Sequence, residues 1–257
     1  MHFYLDPGGK LAGSIRVPGD KSMSHRSIML GSIAEGRTSV GGFVEGDDAL
    51  ATLAVFRAMG VEITDPDAGC LAIEGVGLRG LRVPEQMLDV GNSGTSMRLM
   101  VGLLSGQPFD SIISGDQSLL RRPMGRVITP LSQMGALIGS REGCPPLEVK
   151  GGRRLSGIHY NLPVASAQVK SSVLLAGLYA EGRTSVTEPA PTRDHTERML
   201  NGFGYPVDNR DGVISLEGGG TLTATNVDIP ADISSAAFFL VGASIAPDSD
   251  LTLEHVG

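Results

Sequence analysis

Lysine, arginine and hydroxyl side chains crowd one short run, Asp20-Lys21-Ser22-Met23-Ser24-His25-Arg26. Pro18-Gly19 in front ends an extended segment, and Ser27-Ile28-Met29-Leu30 behind opens an apolar helical run. That order delivers the cations to a helix N-terminus, where free backbone N–H groups and the helix dipole favour an anion. A lysine point charge, an arginine fork and hydroxyl donors suit phosphate or carboxylate.

Two further turns are of similar make. Gly91-Asn92-Ser93-Gly94-Thr95-Ser96 has glycines that let backbone amides approach a ligand, although Asn92 or Ser93 acting as a plain helix cap explains it equally well. Ser166-Ala167-Gln168-Val169-Lys170 offers a hydroxyl and an amide suited to a polyol phosphate, or else a serine cap and a solvated glutamine. Arg121-Arg122-Pro123 puts two guanidiniums before a helix opened by proline, one of them a candidate carboxylate clamp. In Thr192-Arg193-Asp194-His195, Arg193 points to a second anion while Thr192 or Asp194 can cap a helix. Asp47-Asp48 reads as helix capping, and His25 and His195 as supporting residues near the anions.

The elements that must carry these turns repeat. Glu35-Gly36-Arg37-Thr38-Ser39-Val40 recurs as Glu181-Gly182-Arg183-Thr184-Ser185-Val186, each behind a small-residue apolar helix. Second helices follow over Asp47–Met59, Met124–Met134 and His195–Phe203, each ending at a glycine and leading to paired short strands. The unit is strand, helix, strand, helix, strand, strand, an α/β fold with three complete units over about 14–84, 87–155 and 156–226. Residues 1–13 are expected to give a strand belonging to another domain. A fourth unit is expected to open with a strand at Val227–Pro230 and to stop within 227–257, so the chain reads as truncated. Its three equivalent polar turns are expected on one shared face.

Composition narrows the chemistry. The net charge of −7 argues against a nucleic-acid or anionic-membrane surface, so clustered cations mark local ligand sites. Cys70 and Cys144 stand far apart and predict reduced thiols in a cytosolic protein. The N-terminus lacks the pattern of a signal peptide, and no apolar run is long enough to span a membrane. The five histidines show no metal-ligand spacing, and no nucleophile elbow or Walker-type loop occurs, so neither metal nor cofactor is expected.

Taken together the motifs resemble the 5-enolpyruvylshikimate-3-phosphate synthases, in particular the subgroup often described as class II. Pro18-Gly19-Asp20-Lys21-Ser22, Ser24-His25-Arg26, Gly91–Thr95, Arg122-Pro123-Met124, Ser166–Lys170 and Arg193–Glu197 follow in the family's order. The resemblance implies an inside-out α/β barrel of βαβαββ repeats in two domains that close over their substrates. It implies transfer of an enolpyruvyl group from phosphoenolpyruvate to shikimate 3-phosphate. Lys21, Ser22, Arg26, Ser166, Ala167, Gln168 and Arg193 would hold shikimate 3-phosphate. Lys21, Asn92, Gly94, Arg122 and Gln168 would face phosphoenolpyruvate, with Lys21 reaching both and serving as the catalytic residue. The family's acid/base Asp and Glu lie beyond residue 257, so this chain alone is expected to be an inactive half-site, a missing C-terminal segment being its possible partner. The related UDP-N-acetylglucosamine enolpyruvyl transferases carry Lys-Asn where this chain has Lys21-Ser22, and usually a cysteine that Gly115–Arg122 lacks.

Overall fold

A computed structural model describes Tyr4 and residues 8–257; the other residues of the expected 1–13 segment lie outside it. The first stretch folds as β1 (Ala12–Ile15), α1 (Lys21–Ile33), β2 (Glu35–Gly41), α2 (Asp47–Ala58), β3 (Glu62–Ile63) and β4 (Leu71–Val76). The same order follows in β5 (Leu88–Asp89), α3 (Gly94–Ser105), β6 (Ser111–Ser114), α4 (Gly125–Gln133), β7 (Leu137–Arg141) and β8 (Cys144–Lys150). It returns in β9 (His159–Asn161), α5 (Ala167–Gly177), β10 (Arg183–Thr187), α6 (His195–Gly202), β11 (Asp208–Arg210) and β12 (Val213–Glu217). The chain closes with β13 (Asn226–Asp228), α7 (Ile233–Ile245) and β14 (Asp250–Leu253).

Each four-stranded sheet joins one parallel pair to an antiparallel hairpin: β13-β2-β4-β3, β5-β6-β8-β7 and β9-β10-β12-β11. Glu142-Gly143 and Asp211-Gly212, with φ of 51° and 78° and of 53° and 77°, supply the two left-handed residues that a tight hairpin turn requires. Helices α1, α3 and α5 are buried along most of their length, and the sheets cover them from outside. A helix buried on all sides needs apolar and small residues all round rather than on one stripe, and the Ser-, Gly- and Leu-rich sequences of these three comply. Gly102 shows why size matters: a Cβ there would sit 2.1 Å from the Ser172 carbonyl oxygen of α5.

The first sheet departs from the sequence expectation. Its parallel strand is β13, pairing Asn226 with Ser39 and Asp228 with Gly41, so this segment completes the first sheet instead of opening a fourth. β1 straddles the expected boundary at residue 13, Ala12 and Gly13 lying in the expected 1–13 segment and Ser14 and Ile15 in the first unit, and it runs parallel to β14 with Ala12 opposite Asp250. The two connections cross side by side: Asp20 N–H donates to Pro230 C=O at 2.8 Å, and Asp232 N–H to Pro18 C=O at 2.9 Å. A repeat period tells which residues form strands. Which sheet edge a strand fills is decided by the backbone groups left unpaired there.

Helix α7 packs only thinly, with Ala236 buried while Phe238, Val241 and Ile245 face outward. Among the described residues no helix is long and apolar enough to cross a membrane.

Candidate functional site

The first turn of α1 is built by Asp20, whose carboxylate accepts the Met23 N–H at 2.8 Å and caps the helix. Lys21 follows immediately, its side chain half exposed and its Nζ 3.1 Å from Asp48 Oδ2. Asp48 sits in the first turn of α2, yet the N-cap there is Gly46 and no side chain caps the helix. The capping role read for Asp47-Asp48 is therefore replaced: Asp48 holds the lysine. Arg26 lies one turn deeper and is buried. Its Nε donates to Thr196 at 2.7 Å, one Nη to Ser171 at 2.9 Å and the other to the Ser22 carbonyl at 3.0 Å. Burial brings its pKa down to about 10, with Glu197 and Asp20 opposing, so the guanidinium stays charged at neutral pH.

Ser93 caps α3 by accepting the Ser96 N–H at 3.1 Å, which leaves Asn92 exposed on the rim. Asn92 donates to Asp116 Oδ2 and accepts from Arg122 Nη2, both at 2.5 Å. Of the paired guanidiniums, Arg122 is thus the one turned toward the Asn92 turn, while Arg121 stays exposed. A methyl on Gly94 would lie 2.8 Å from an Arg98 nitrogen and 3.1 Å from an Arg122 nitrogen, so the bare glycine leaves these two cations room.

On α5, Ser166 is the N-cap and Gln168 bridges the neighbouring helix: its Oε1 accepts from Arg98 Nη1 and its Nε2 donates to Thr95 Oγ1, both at 3.0 Å. Arg98, Arg126, Pro123, Gly125, Ser166, Gln168 and Val169 line a hollow of about 460 Å³. Arg193 is exposed in the loop before α6 and lines a second hollow of about 410 Å³ with Asp20, Met23 and His195. No side chain caps α6, so neither Thr192 nor Asp194 serves as expected; Thr192 instead donates to Glu188.

These contacts put the N-terminal turns of α1, α3 and α5 on one face. Gln168 touches Thr95 and Arg98, Arg26 touches Ser171, and His25 Nε2 lies 3.3 Å from Ser93 Oγ. Lys21, Ser22, Asn92, Gly94, Arg122, Ser166, Ala167 and Gln168 are gathered there; Arg26 backs the face from below and Arg193 flanks it. The cations stand out against a net charge of −7 and suit small anionic ligands.

Three contributors escaped the sequence reading. Arg98 is one helical turn beyond Gly94 and donates to its carbonyl at 3.1 Å; partial burial, with Arg122 and Arg126 adding to it, lowers its pKa. No sequence signal marked it, because glycine offers no side chain for an i, i+4 pair and the contact is to its carbonyl. Asp116 orients Asn92 from a loop that carries no motif. Lys170, buried to 1% exposure, lies 2.9 Å from Glu188 and 2.6 Å from Glu197, both carboxylates also buried. Among the described residues no cluster of His, Cys, Asp and Glu is placed to hold a metal.

His25 carries a pH signature. Burial lowers its pKa to about 4, the Asp48 carboxylate opposing and Lys21 and Arg26 adding to the fall. The unfolded chain takes up a proton near pH 6.5, which the folded chain refuses until about pH 4. Stability is therefore full above about pH 6.5 and drops by about 3 kcal/mol as pH falls toward 4. Urea unfolding at pH 7 and pH 4.5 should show this loss in the parent and a flatter dependence in His25→Gln; equal slopes would remove His25 as its source.

The chain matches the EPSP synthase (3-phosphoshikimate 1-carboxyvinyltransferase) family over residues 5–257. It is 66% identical to the 3-phosphoshikimate 1-carboxyvinyltransferase of Alkalilimnicola ehrlichii, all of this chain aligning with 58% of that protein. The protein of the same name from Methylococcus capsulatus is 64% identical, with 99% of this chain and 59% of that protein covered. The EPSP synthase structure from Acinetobacter baumannii superposes with a TM-score of 0.92 at 59% identity, covering 97% of this chain and 57% of that one. The chain thus spans a little under three-fifths of the length of these relatives.

Proposed function

Because the chain belongs to the EPSP synthase family, we propose that its three converging helix N-termini form one wall of a site that joins phosphoenolpyruvate to shikimate 3-phosphate. The observation that carries this reading is the direct link between the turns, Gln168 bridging Arg98 and Thr95 at 3.0 Å each. That link places the Ser166-Ala167-Gln168 turn beside the Asn92–Thr95 turn, so two different anions can lie side by side. Ser166, Ala167, Gln168 and Arg193 take the shikimate phosphate, with Lys21, Ser22 and Arg26 on the same ligand. Asn92, Gly94, Arg122 and Gln168 face phosphoenolpyruvate, and Lys21 lies between the two.

In the reaction the 5-hydroxyl oxygen of shikimate 3-phosphate bonds to C2 of phosphoenolpyruvate while C3 gains a proton. The tetrahedral adduct then expels phosphate as C3 loses a proton, restoring the double bond. Both anions repel each other in water. Cations fixed in advance offset that repulsion at no reorganisation cost during the reaction. Removing the hydroxyl proton and protonating C3 require an acid and a base. The carboxylates of Asp48 and Asp116 are already paired with Lys21 and Asn92, so this wall binds and polarises. We place the protein in the cytosol on its two free thiols, Cys70 exposed and Cys144 half-buried.

Calorimetric titration of the chain with shikimate 3-phosphate tests the binding half of this reading. Lys21→Met should weaken binding about 30-fold, the equivalent of one charge-assisted hydrogen bond of about 2 kcal/mol. A parent chain that binds no shikimate 3-phosphate at millimolar concentration would overturn it. The catalytic half is tested by phosphate release from both substrates after mixing with the complementary C-terminal segment of the Acinetobacter baumannii enzyme. Release on mixing supports transfer, and none from a well-folded mixture counts against it.

A further inference from the structure

We propose that His25 is a positioning residue, a cross-brace that sets the Asn92–Thr95 turn of α3 against the Lys21 turn of α1. The inference rests on the reading of this face as a two-anion site. His25 projects from the second turn of α1 and is fully buried. Its Nδ1 lies 2.8 Å from Thr52 Oγ1 on α2 and 3.0 Å from Ser96 Oγ on α3. Its Nε2 lies 3.3 Å from the Oγ of Ser93, the α3 cap. One imidazole thus joins three helices near their N-termini.

Each partner is itself tied to a group on the candidate face. Ser93 Oγ accepts the Ser96 N–H at 3.1 Å, and that cap fixes where α3 begins, hence where Asn92 and Gly94 lie. Thr52 Oγ1 lies 3.2 Å from the Asp48 carbonyl, and the Asp48 carboxylate holds Lys21 Nζ at 3.1 Å. The charged and titratable groups around the imidazole are Lys21 and Arg26 from α1 and Asp48 from α2; α3 faces it with hydroxyls alone. A neutral ring with one N–H and one lone pair fits such a cage, since it can donate to one hydroxyl and accept from another. Without the ring, Thr52 and Ser96 would keep each other at 2.5 Å, Thr52 the Asp48 carbonyl and Ser93 the Ser96 N–H. What leucine or methionine here would remove is the link from α1 to these hydroxyls, through Nδ1 to Thr52 and Ser96 and through Nε2 to the α3 cap.

The two nitrogens can be separated by substitution. An asparagine amide reaches the place of Nδ1, and a glutamine amide the place of Nε2. Backbone hydrogen exchange should be measured on the chain and on His25→Asn and His25→Gln, with α6 as internal reference. In His25→Asn the Ser96 and Met97 amides should exchange about tenfold faster while α6 is unchanged, and His25→Gln should return them to near the parental rate. Phosphoenolpyruvate affinity, measured with shikimate 3-phosphate present, should fall about tenfold in the asparagine variant and recover in the glutamine variant. Parental exchange at Ser96 and Met97 in His25→Asn, or equal acceleration in both variants, would overturn the proposal. Acceleration spread evenly over α1, α3 and α6 would likewise overturn it, since that is the mark of a purely structural histidine. A parent chain that binds neither ligand would refute the two-anion reading, and the exchange rates would still decide the role of His25.

Discussion

Replacing Lys170 by methionine is expected to destabilise the protein by about 3–5 kcal/mol, the range for removing one partner of a buried ion pair. The ammonium is held between Glu188 at 2.9 Å and Glu197 at 2.6 Å, all three side chains almost fully removed from water. Methionine fills the same volume but leaves two carboxylates facing each other without a counter-ion. For a chain of this size the loss corresponds to a drop of about 10 °C in Tm, read by calorimetry or circular dichroism. The double variant Lys170→Met, Glu188→Gln, which leaves the Glu197 carboxylate to the Arg26 guanidinium, should recover part of it. A single variant within about 2 °C of the parent would show that the lysine contributes little. The cluster also joins three segments of the candidate face, because α5, the loop that carries Arg193 and the first turn of α6 all meet at this one nitrogen.

Gly102→Ala should be nearly as damaging, by about 3 kcal/mol, the upper part of the range for overpacking. The added methyl would approach the Ser172 carbonyl oxygen to 2.1 Å and its carbon to 2.9 Å, and backbone cannot swing aside as a side-chain tip can. Relief requires α3 and α5 to part, which would also stretch the Arg98–Gln168 bridge near their N-terminal ends. Urea denaturation should therefore show a lower midpoint with an unchanged m-value. Gly202→Ala is the matched control. It lies in α6 with nothing within 4 Å of the new methyl, and should be neutral or stabilising by up to about 1 kcal/mol. Equal midpoints for the two variants would contradict the close packing of α3 on α5.

The three polar turns were legible in the sequence because helix starts have a local grammar. Asp20, Ser93 and Ser166 each cap the helix that follows, and all three bonds span three residues. Partners distant in sequence were not legible by the same means. Asp48 looks like any acidic first-turn residue until Lys21 is placed beside it, and the resulting ion pair crosses between two helices. Lys170 stands within a quoted motif, yet a lysine is so seldom buried that its sequence gives no hint of two carboxylates brought from 18 and 27 positions away. Strand β13 escaped for a related reason: alternation marks it as a strand, but only the open edge of β2 says where it belongs.

That strand bears on the order in which the protein is assembled. The second and third sheets are each made from one continuous stretch of chain. The first has three strands before residue 77 and its fourth beyond residue 225, with Val40 opposite Val227. During synthesis from the N-terminus, β2 must therefore wait with one edge open until two later units have emerged. Closing so long a loop is slow compared with pairing neighbours. The sheet beside Lys21 is thus begun before the second and third sheets and closed after them, and its open edge is the one a nascent chain must shield.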